Sequence, residues 1–345
     1  MSHAKEWNPL SGAGSEMERD FRQAVAVANR VTSTAVLAMF PGQGSQRVAM
    51  AAHLVRQYPD TAGRMLRLAD DVLGLPLTAM CTDGSATDLA RTEITQPAIL
   101  AVSLAVLEVL RSEGGFAPAA VAGHSLGEYT ALVAAEVLTP QAALSLVRQR
   151  GRLMGRVGDR TSGSMAAIMG LTSAQVEEAC LRGSVHGVVQ VANYNEPAQT
   201  VVSGHPAAVE EAVRLARESG AERVVALNVG APFHCSLMRE IEEEFEHALG
   251  CALFGEPRTT VFSSVTGTPV RTAAQARMLL RRQLSGPVRW VEVLNAAEAS
   301  GCAAFVEVGP GRVLSGFARR AVPGAMVRST NDAQRISGLL RLLRG

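Results

Sequence analysis

The sequence predicts an α/β fold in two parts, a large domain on a parallel sheet and a small domain inserted into it. Three observations lead there. An apolar run, Thr34–Phe40, breaks into Pro41-Gly42-Gln43-Gly44-Ser45-Gln46. A buried strand emptying into a glycine-rich turn forms the lip of a crevice in open α/β sheets. A second apolar run, Ala119–Ala122, meets a tight turn, Gly123-His124-Ser125-Leu126-Gly127, and then an Ala/Leu/Val helix from Glu128. The third is the order across 164–229: strand Ser164–Met169, helix Ser173–Arg182, strands Val188–Asn193 and Thr200–Ser203, helix Pro206–Ser219, strand Arg223–Val229. That β-α-β-β-α-β order is the ferredoxin-like pattern.

The domain reading follows. Residues 1–33 are a polar N-terminal extension, with a candidate helix over Glu16–Val31. Residues 34–160 and 231–345 make one discontinuous large domain, and 161–230 the small one. Further strands are expected at Val261–Val265, Ala304–Val308 and Met326–Arg328. The longest apolar segment, Ile94–Leu110, contains Gln96, Pro97, Ser103 and Glu108, so it reads as a core helix, with Thr95 as its cap and Pro97 in its first turn.

Composition narrows the function. Hydrophobic residues are 47% and charged residues 19% of the chain, a globular balance. A net charge of +1 gives no reason to expect nucleic acid. No run of about 18 uninterrupted apolar residues suggests a membrane span, and no signal-peptide segment opens the chain. Five scattered cysteines and the lack of CxxC or HExxH argue against a disulfide framework and a zinc site, and fit a reducing cytoplasm.

The chemistry centres on two residues. Gly123-His124-Ser125-Leu126-Gly127 fits GxSxG, in which a strand-to-helix turn exposes a serine hydroxyl and aims the next backbone N–H at an oxyanion. Taken alone, GxSxG also occurs in ordinary turns. A serine nucleophile needs a base. Of seven histidines, His234 stands at the junction between the domains, where clefts form, whereas His124 is expected to point away from Ser125 in a structural role.

Eight segments in order then resemble the malonyl-CoA:acyl carrier protein transacylases, a family that includes the fatty-acid synthesis enzyme and the discrete acyltransferases of polyketide synthases. They are FPGQGSQ (40–46), TQPAIL (95–100), GHSLGEYTAL (123–132), RQRGRLM (148–154), ANYNEPAQTVVSG (192–204), FHCSLM (233–238), RQLSGPVRW (282–290) and EVGPGRVLSG (307–316). The resemblance covers about residues 35–330 and implies an α/β-hydrolase-like large domain. It implies Ser125 as nucleophile, His234 as base and Gln283 as the residue whose backbone carbonyl orients the histidine. Gln43 and Leu126 would supply oxyanion-hole N–H groups. Arg150 would bind the malonyl carboxylate, with Gln96 and Asn193 in supporting roles near the cleft. Phe233 would limit the acyl group to malonyl, although Pro232 stands where a small residue is expected. The implied substrate is a CoA thioester, with no bound cofactor, and the implied partners are malonyl-CoA and an acyl carrier protein, in the cytoplasm. Arg152, Arg156, Arg281, Arg282, Arg289, Arg319 and Arg320 are candidates for a basic rim that steers an acidic carrier. A carrier-protein thioesterase would share Ser125 and His234, but gains nothing from Arg150. A transferase for branched or carrier-bound acyl groups is the alternative within the class.

Overall fold

The structure, a computed structural model, describes residues 36–227 and 229–344. The extension at 1–33, its candidate helix and the first two residues of the expected opening strand lie outside the described residues. In chain order the strands are β1 (Val36–Phe40), β2 (Ala120–Gly123), β3 (Ser164–Met169), β4 (Val189–Glu196), β5 (Gln199–Gly204), β6 (Arg223–Ala226), β7 (Thr260–Phe262), β8 (Pro269–Val270), β9 (Val288–Arg289), β10 (Ala304–Glu307) and β11 (Met326–Ser329).

They form two sheets. The first runs β11-β10-β1-β2-β7-β8, parallel throughout except for the antiparallel pair β7–β8 at one edge. Its central strands read as continuous apolar runs because both faces are covered: every residue of β1 and β2 is buried. Parallel neighbours need crossovers, and helices supply them. The chain leaves β1 on one side toward β2 and returns on the other through β10. The carboxyl ends of β1 and β2 therefore flank a crevice, as at the switch points of open α/β sheets.

The second sheet is β6-β3-β5-β4, antiparallel, with helices 173–183 and 206–218 packed together in one apolar cluster with it. Strand β4 continues to Glu196, beyond the expected end at Asn193. It also gains a neighbour the sequence did not announce: β9 pairs parallel with it, Asn193 opposite Val288. Two residues are too short for any periodicity to register. This pairing ties the second sheet to the segment that carries Gln283.

Helix 92–114 is long and apolar enough to cross a membrane by length and composition, yet 89% of its most apolar window is buried inside the fold. It starts earlier than expected, with Arg91 as N-cap. Thr95 is therefore not the cap; its hydroxyl donates to the Leu89 and Arg91 carbonyls at 2.6 and 3.0 Å. Pro97 lies in the second turn and cannot donate to the Glu93 carbonyl. Arg148 Nη1 donates to that carbonyl at 2.6 Å, so the missing bond is replaced from another helix. That helix, 140–160, crosses close beside Thr92 and Glu93. A Cβ on Gly151 would stand 2.8 Å from Glu93 Cα. The glycine beside Arg150 thus lets the two helices approach and sets Arg150 against Gln96.

The turn after β2 is tighter still. A Cβ on Gly123 would lie 1.9 Å from the Gly127 backbone, and one on Gly127 would lie 2.0 Å from the Phe40 carbonyl. Gly123→Ala is expected to destabilise the protein by more than about 3 kcal/mol through forced backbone displacement. Thermal unfolding would read this as a large fall in midpoint, and an unchanged midpoint would contradict the close crossing.

Candidate active site

Ser125 sits on that turn with φ of 51°, and His234 has φ of 59°. Left-handed backbone at non-glycine residues is uncommon and persists where the surroundings over-determine it. The glycine contacts do so at Ser125. At His234 the surroundings are the segment 230–235, which runs between the two sheets. A Cβ on Gly158 would stand 2.1 Å from the Gly230 carbonyl, and one on Gly163 would stand 2.3 Å from the Pro232 ring. Pro232 therefore has a place made for it, and Phe233, buried beside it, faces the cavity below.

Ser125 Oγ lies 2.7 Å from His234 Nε2. His234 Nδ1 lies 2.9 Å from the Gln283 carbonyl oxygen and 3.2 Å from that of Gly286. Two carbonyls can only accept, so Nδ1 carries the proton and Nε2 is left as the acceptor for the serine hydroxyl. Burial pushes the His234 pKa down, and the Arg150 guanidinium pushes it further, to about 3. The ring is neutral at pH 7 and free to take a proton.

Arg150 is 1% exposed. Its Nη1 donates to Gln96 Oε1 at 2.8 Å; its Nη2 donates to Gln283 Oε1 and to Ser125 Oγ, each at 3.0 Å. The Tyr129 ring lies 5.8 Å from its guanidinium carbon. Its Nε has no partner among the described residues, and no carboxylate forms an ion pair with it there. Burial lowers its pKa. A buried guanidinium held only by neutral acceptors, beside a serine hydroxyl, is suited to receive an anion.

A cavity of about 400 Å³ joins these groups. Ser125, His234, Arg150, Gln43, Asn193 and Phe233 line it. Met154, Met165, Leu227 and Val229 line it too, and the sequence reading did not single them out. The wall draws on both sheets, since Met165 and Asn193 come from β3 and β4. Gln96 and Gln283 stand behind Arg150 and are not part of the wall. Leu126 is buried at the start of helix 127–134. Neither the Leu126 nor the Gln43 backbone N–H donates to an acceptor among the described residues. The Gln43 side chain is tethered to Thr92 Oγ1 at 3.3 Å.

His124 also reaches the cavity wall, but its Nε2 is paired with Asn195 Oδ1 at 2.9 Å and its ring meets Trp290 edge-on at 5.6 Å. It is a held ring rather than a second base. The sequence reading missed Glu128 and Ser264, which bond to each other and to Gln283 behind the site. A lone carboxylate in an otherwise apolar helix, three residues after Ser125, was the available signal. Of the proposed basic rim, Arg152, Arg156, Arg281, Arg289 and Arg320 all have carboxylates nearby, in Glu93, Glu244, Glu242, Glu292 and Glu196 respectively. The rim is therefore less basic than the residue count suggests. No group of three or more His, Cys, Asp or Glu placed to hold a metal occurs among the described residues.

Residues 38–336 match the model of the acyl transferase domain, and the chain belongs to that family. The protein is an acyltransferase. It is 39% identical over 295 residues to the malonyl CoA-acyl carrier protein transacylase of Haemophilus influenzae, covering 85% of this chain and 94% of that one. The enzyme of the same name from Escherichia coli K12 is 38% identical over 304 residues, 88% of this chain and 98% of its own. A solved complex of a type II polyketide synthase acyl-carrier protein with its malonyl-transacylase superposes with a TM-score of 0.86 at 37% identity, covering 89% of this chain and 99% of that one.

The histidine geometry has a measurable consequence. A base must be neutral, and a lowered pKa keeps His234 neutral as pH falls through 6.5. The acylation rate constant kcat/KM, which reports the free enzyme, is expected to stay flat from about pH 8 to about pH 5. A limb near 6.5 in that profile would show that Arg150 and burial do not act on the ring as described.

Proposed function

We propose that this chain transfers a malonyl group from coenzyme A to the phosphopantetheine thiol of an acyl carrier protein through an ester on Ser125. His234 Nε2 takes the hydroxyl proton as Oγ attacks the thioester carbonyl carbon. The developing oxyanion is held by the Gln43 and Leu126 N–H groups. The carbon–sulfur bond breaks, and the CoA thiolate leaves with the proton from His234. The carrier thiol then gives its proton to His234 and attacks the ester, and the returned proton restores Ser125. Through both steps the Gln283 carbonyl holds Nδ1–H and so steadies the imidazolium.

The observation that carries the reading is Arg150. Its guanidinium is buried within hydrogen-bond distance of Ser125 Oγ and has no ion-paired carboxylate among the described residues. The terminal carboxylate of malonate would supply one. An acyl group without that carboxylate leaves the cation uncompensated, which disfavours it. A thioesterase acting on simple acyl chains has no use for such a group. Phe233, packed against the cavity, would crowd an α-substituent and so favour malonyl over branched extenders. We read 161–230 as an inserted ferredoxin-like unit whose strands complete the acyl pocket. The mechanism draws on no bound cofactor, and the cytoplasm is the compartment that fits it. The carrier would be one of fatty-acid or polyketide synthesis; the relatives include a polyketide biosynthesis protein and the malonyl-transacylase of a type II polyketide synthase carrier.

Intact-protein mass after mixing with malonyl-CoA is expected to rise by one malonyl group, and Ser125→Ala is expected to abolish the adduct. Arg150→Ala is expected to lower kcat/KM for malonyl-CoA by about 10²-fold or more, the scale of a lost buried charge partner, with little change for acetyl-CoA. Free malonate accumulating in place of carrier-bound malonyl would overturn the transferase reading in favour of hydrolysis.

A further inference from the structure

Glu128 is a carboxylic acid buried to 1% exposure that the mechanism above does not use. It has no ion pair among the described residues. Its Oε2 accepts from Ser264 Oγ at 2.5 Å, from Ser264 N at 3.3 Å and from Gln283 Nε2 at 2.6 Å. Burying such a group is costly, and a buried polar group bonded by several donors tends to specify one arrangement. What this network specifies is the Gln283 amide.

Gln283 reaches the serine turn, the cation and the base. Its Nε2 donates to Glu128 and, at 3.0 Å, to the Ser125 carbonyl, while its Oε1 accepts from Arg150 Nη2 at 3.0 Å. Its backbone carbonyl accepts from His234 Nδ1. An amide has one donating and one accepting end. Glu128 accepts, so it holds the –NH₂ end, and the oxygen end is turned toward Arg150. With Glu128 replaced by an apolar side chain, the –NH₂ end loses its shortest bond. The amide then keeps only its longer bonds to the Ser125 carbonyl and Ser264 Oγ, so its oxygen end is held less firmly against the guanidinium and Arg150 can shift from its place beside Ser125.

We propose that Glu128 is a positioning residue for acyl selectivity: through the Gln283 amide it holds the Arg150 guanidinium where a terminal carboxylate of the substrate must bind. The inference rests on the reading of Arg150 as the carboxylate site. It assigns discrimination between carboxylated and neutral acyl groups to a side chain that touches neither substrate nor nucleophile.

The test uses the whole protein and two CoA esters, malonyl and acetyl, with acylation followed by intact mass and steady-state kinetics. Glu128→Met removes both carboxylate oxygens at similar length, and Glu128→Gln keeps an oxygen that can accept from Gln283. The Met variant is expected to lower the malonyl-to-acetyl ratio of kcat/KM at least tenfold, mainly through a raised KM for malonyl-CoA. The Gln variant is expected to recover most of that ratio. Gln283→Met removes the amide but leaves the backbone carbonyl on His234, and is expected to shift the ratio in the same direction; should Glu128→Met fail to fold, an unchanged ratio in Gln283→Met would overturn the proposal, and an intermediate ratio in Glu128→Gln would support it. An unchanged ratio in a folded Met variant, or equal losses for both esters, would overturn the proposal by showing a role in packing alone. Arg150→Ala separates the two ideas: if it leaves the ratio unchanged, the carboxylate site itself is misread, and if it lowers the ratio while Glu128→Met does not, only the positioning role fails.

Discussion

A cation removed from water sets the terms for the rest of this structure. Taking the Arg150 guanidinium into the protein costs several kcal/mol after relaxation, and its neighbours are arranged to offset that with three neutral acceptors. Gln96 comes from helix 92–114, Gln283 from the end of helix 273–282, and Ser125 from the turn after β2. Each acceptor needs its element in place: Gly151 allows the helix crossing, and Arg148 stands in for the bond that Pro97 removes. The arrangement is satisfied but not neutralised. On the proposed reading, an acyl group with its own carboxylate would neutralise it.

The same cation bears on the base. Burial and Arg150 together hold His234 neutral, so the cation proposed to receive the acid of the substrate also keeps the proposed base able to accept a proton. Two left-handed residues, Ser125 and His234, come from segments far apart in the chain and meet at hydrogen-bond distance. One is held by a strand-to-helix turn with no room for side chains at its glycines. The other is held by the segment crossing between the sheets, where Pro232 lies against Gly163. Backbone strain at both points is supported by contacts that a Cβ would destroy.

Much of this was legible in the sequence because it is carried by local patterns. The strand-turn-helix units, the β-α-β-β-α-β order and the parallel sheet all follow from periodicity and glycine placement, and the acyl transferase family match spans the same stretch. Ser125 and His234 were singled out by motif and position, and Arg150, Gln43, Asn193 and Phe233 only by the family resemblance; all six line one cavity. What the sequence did not disclose depends on partners far along the chain. Thr95 looked like a cap, but the helix begins three residues earlier. Pro97 looked confined to a first turn, but Arg148 permits it deeper. The Glu128–Ser264–Gln283 network joins three segments that no spacing rule connects, and β9 is too short to carry a pattern. A basic rim counted from arginines was reduced by glutamates on other elements.

The buried guanidinium is proposed as a binding site for the substrate carboxylate, separable from the chemistry at the serine. Calorimetric titration of Ser125→Ala with malonyl-CoA and with acetyl-CoA isolates it, since no ester can form. Malonyl-CoA is expected to bind at least about tenfold more tightly, with the difference removed by adding Arg150→Ala. Equal affinities for the two esters would contradict it.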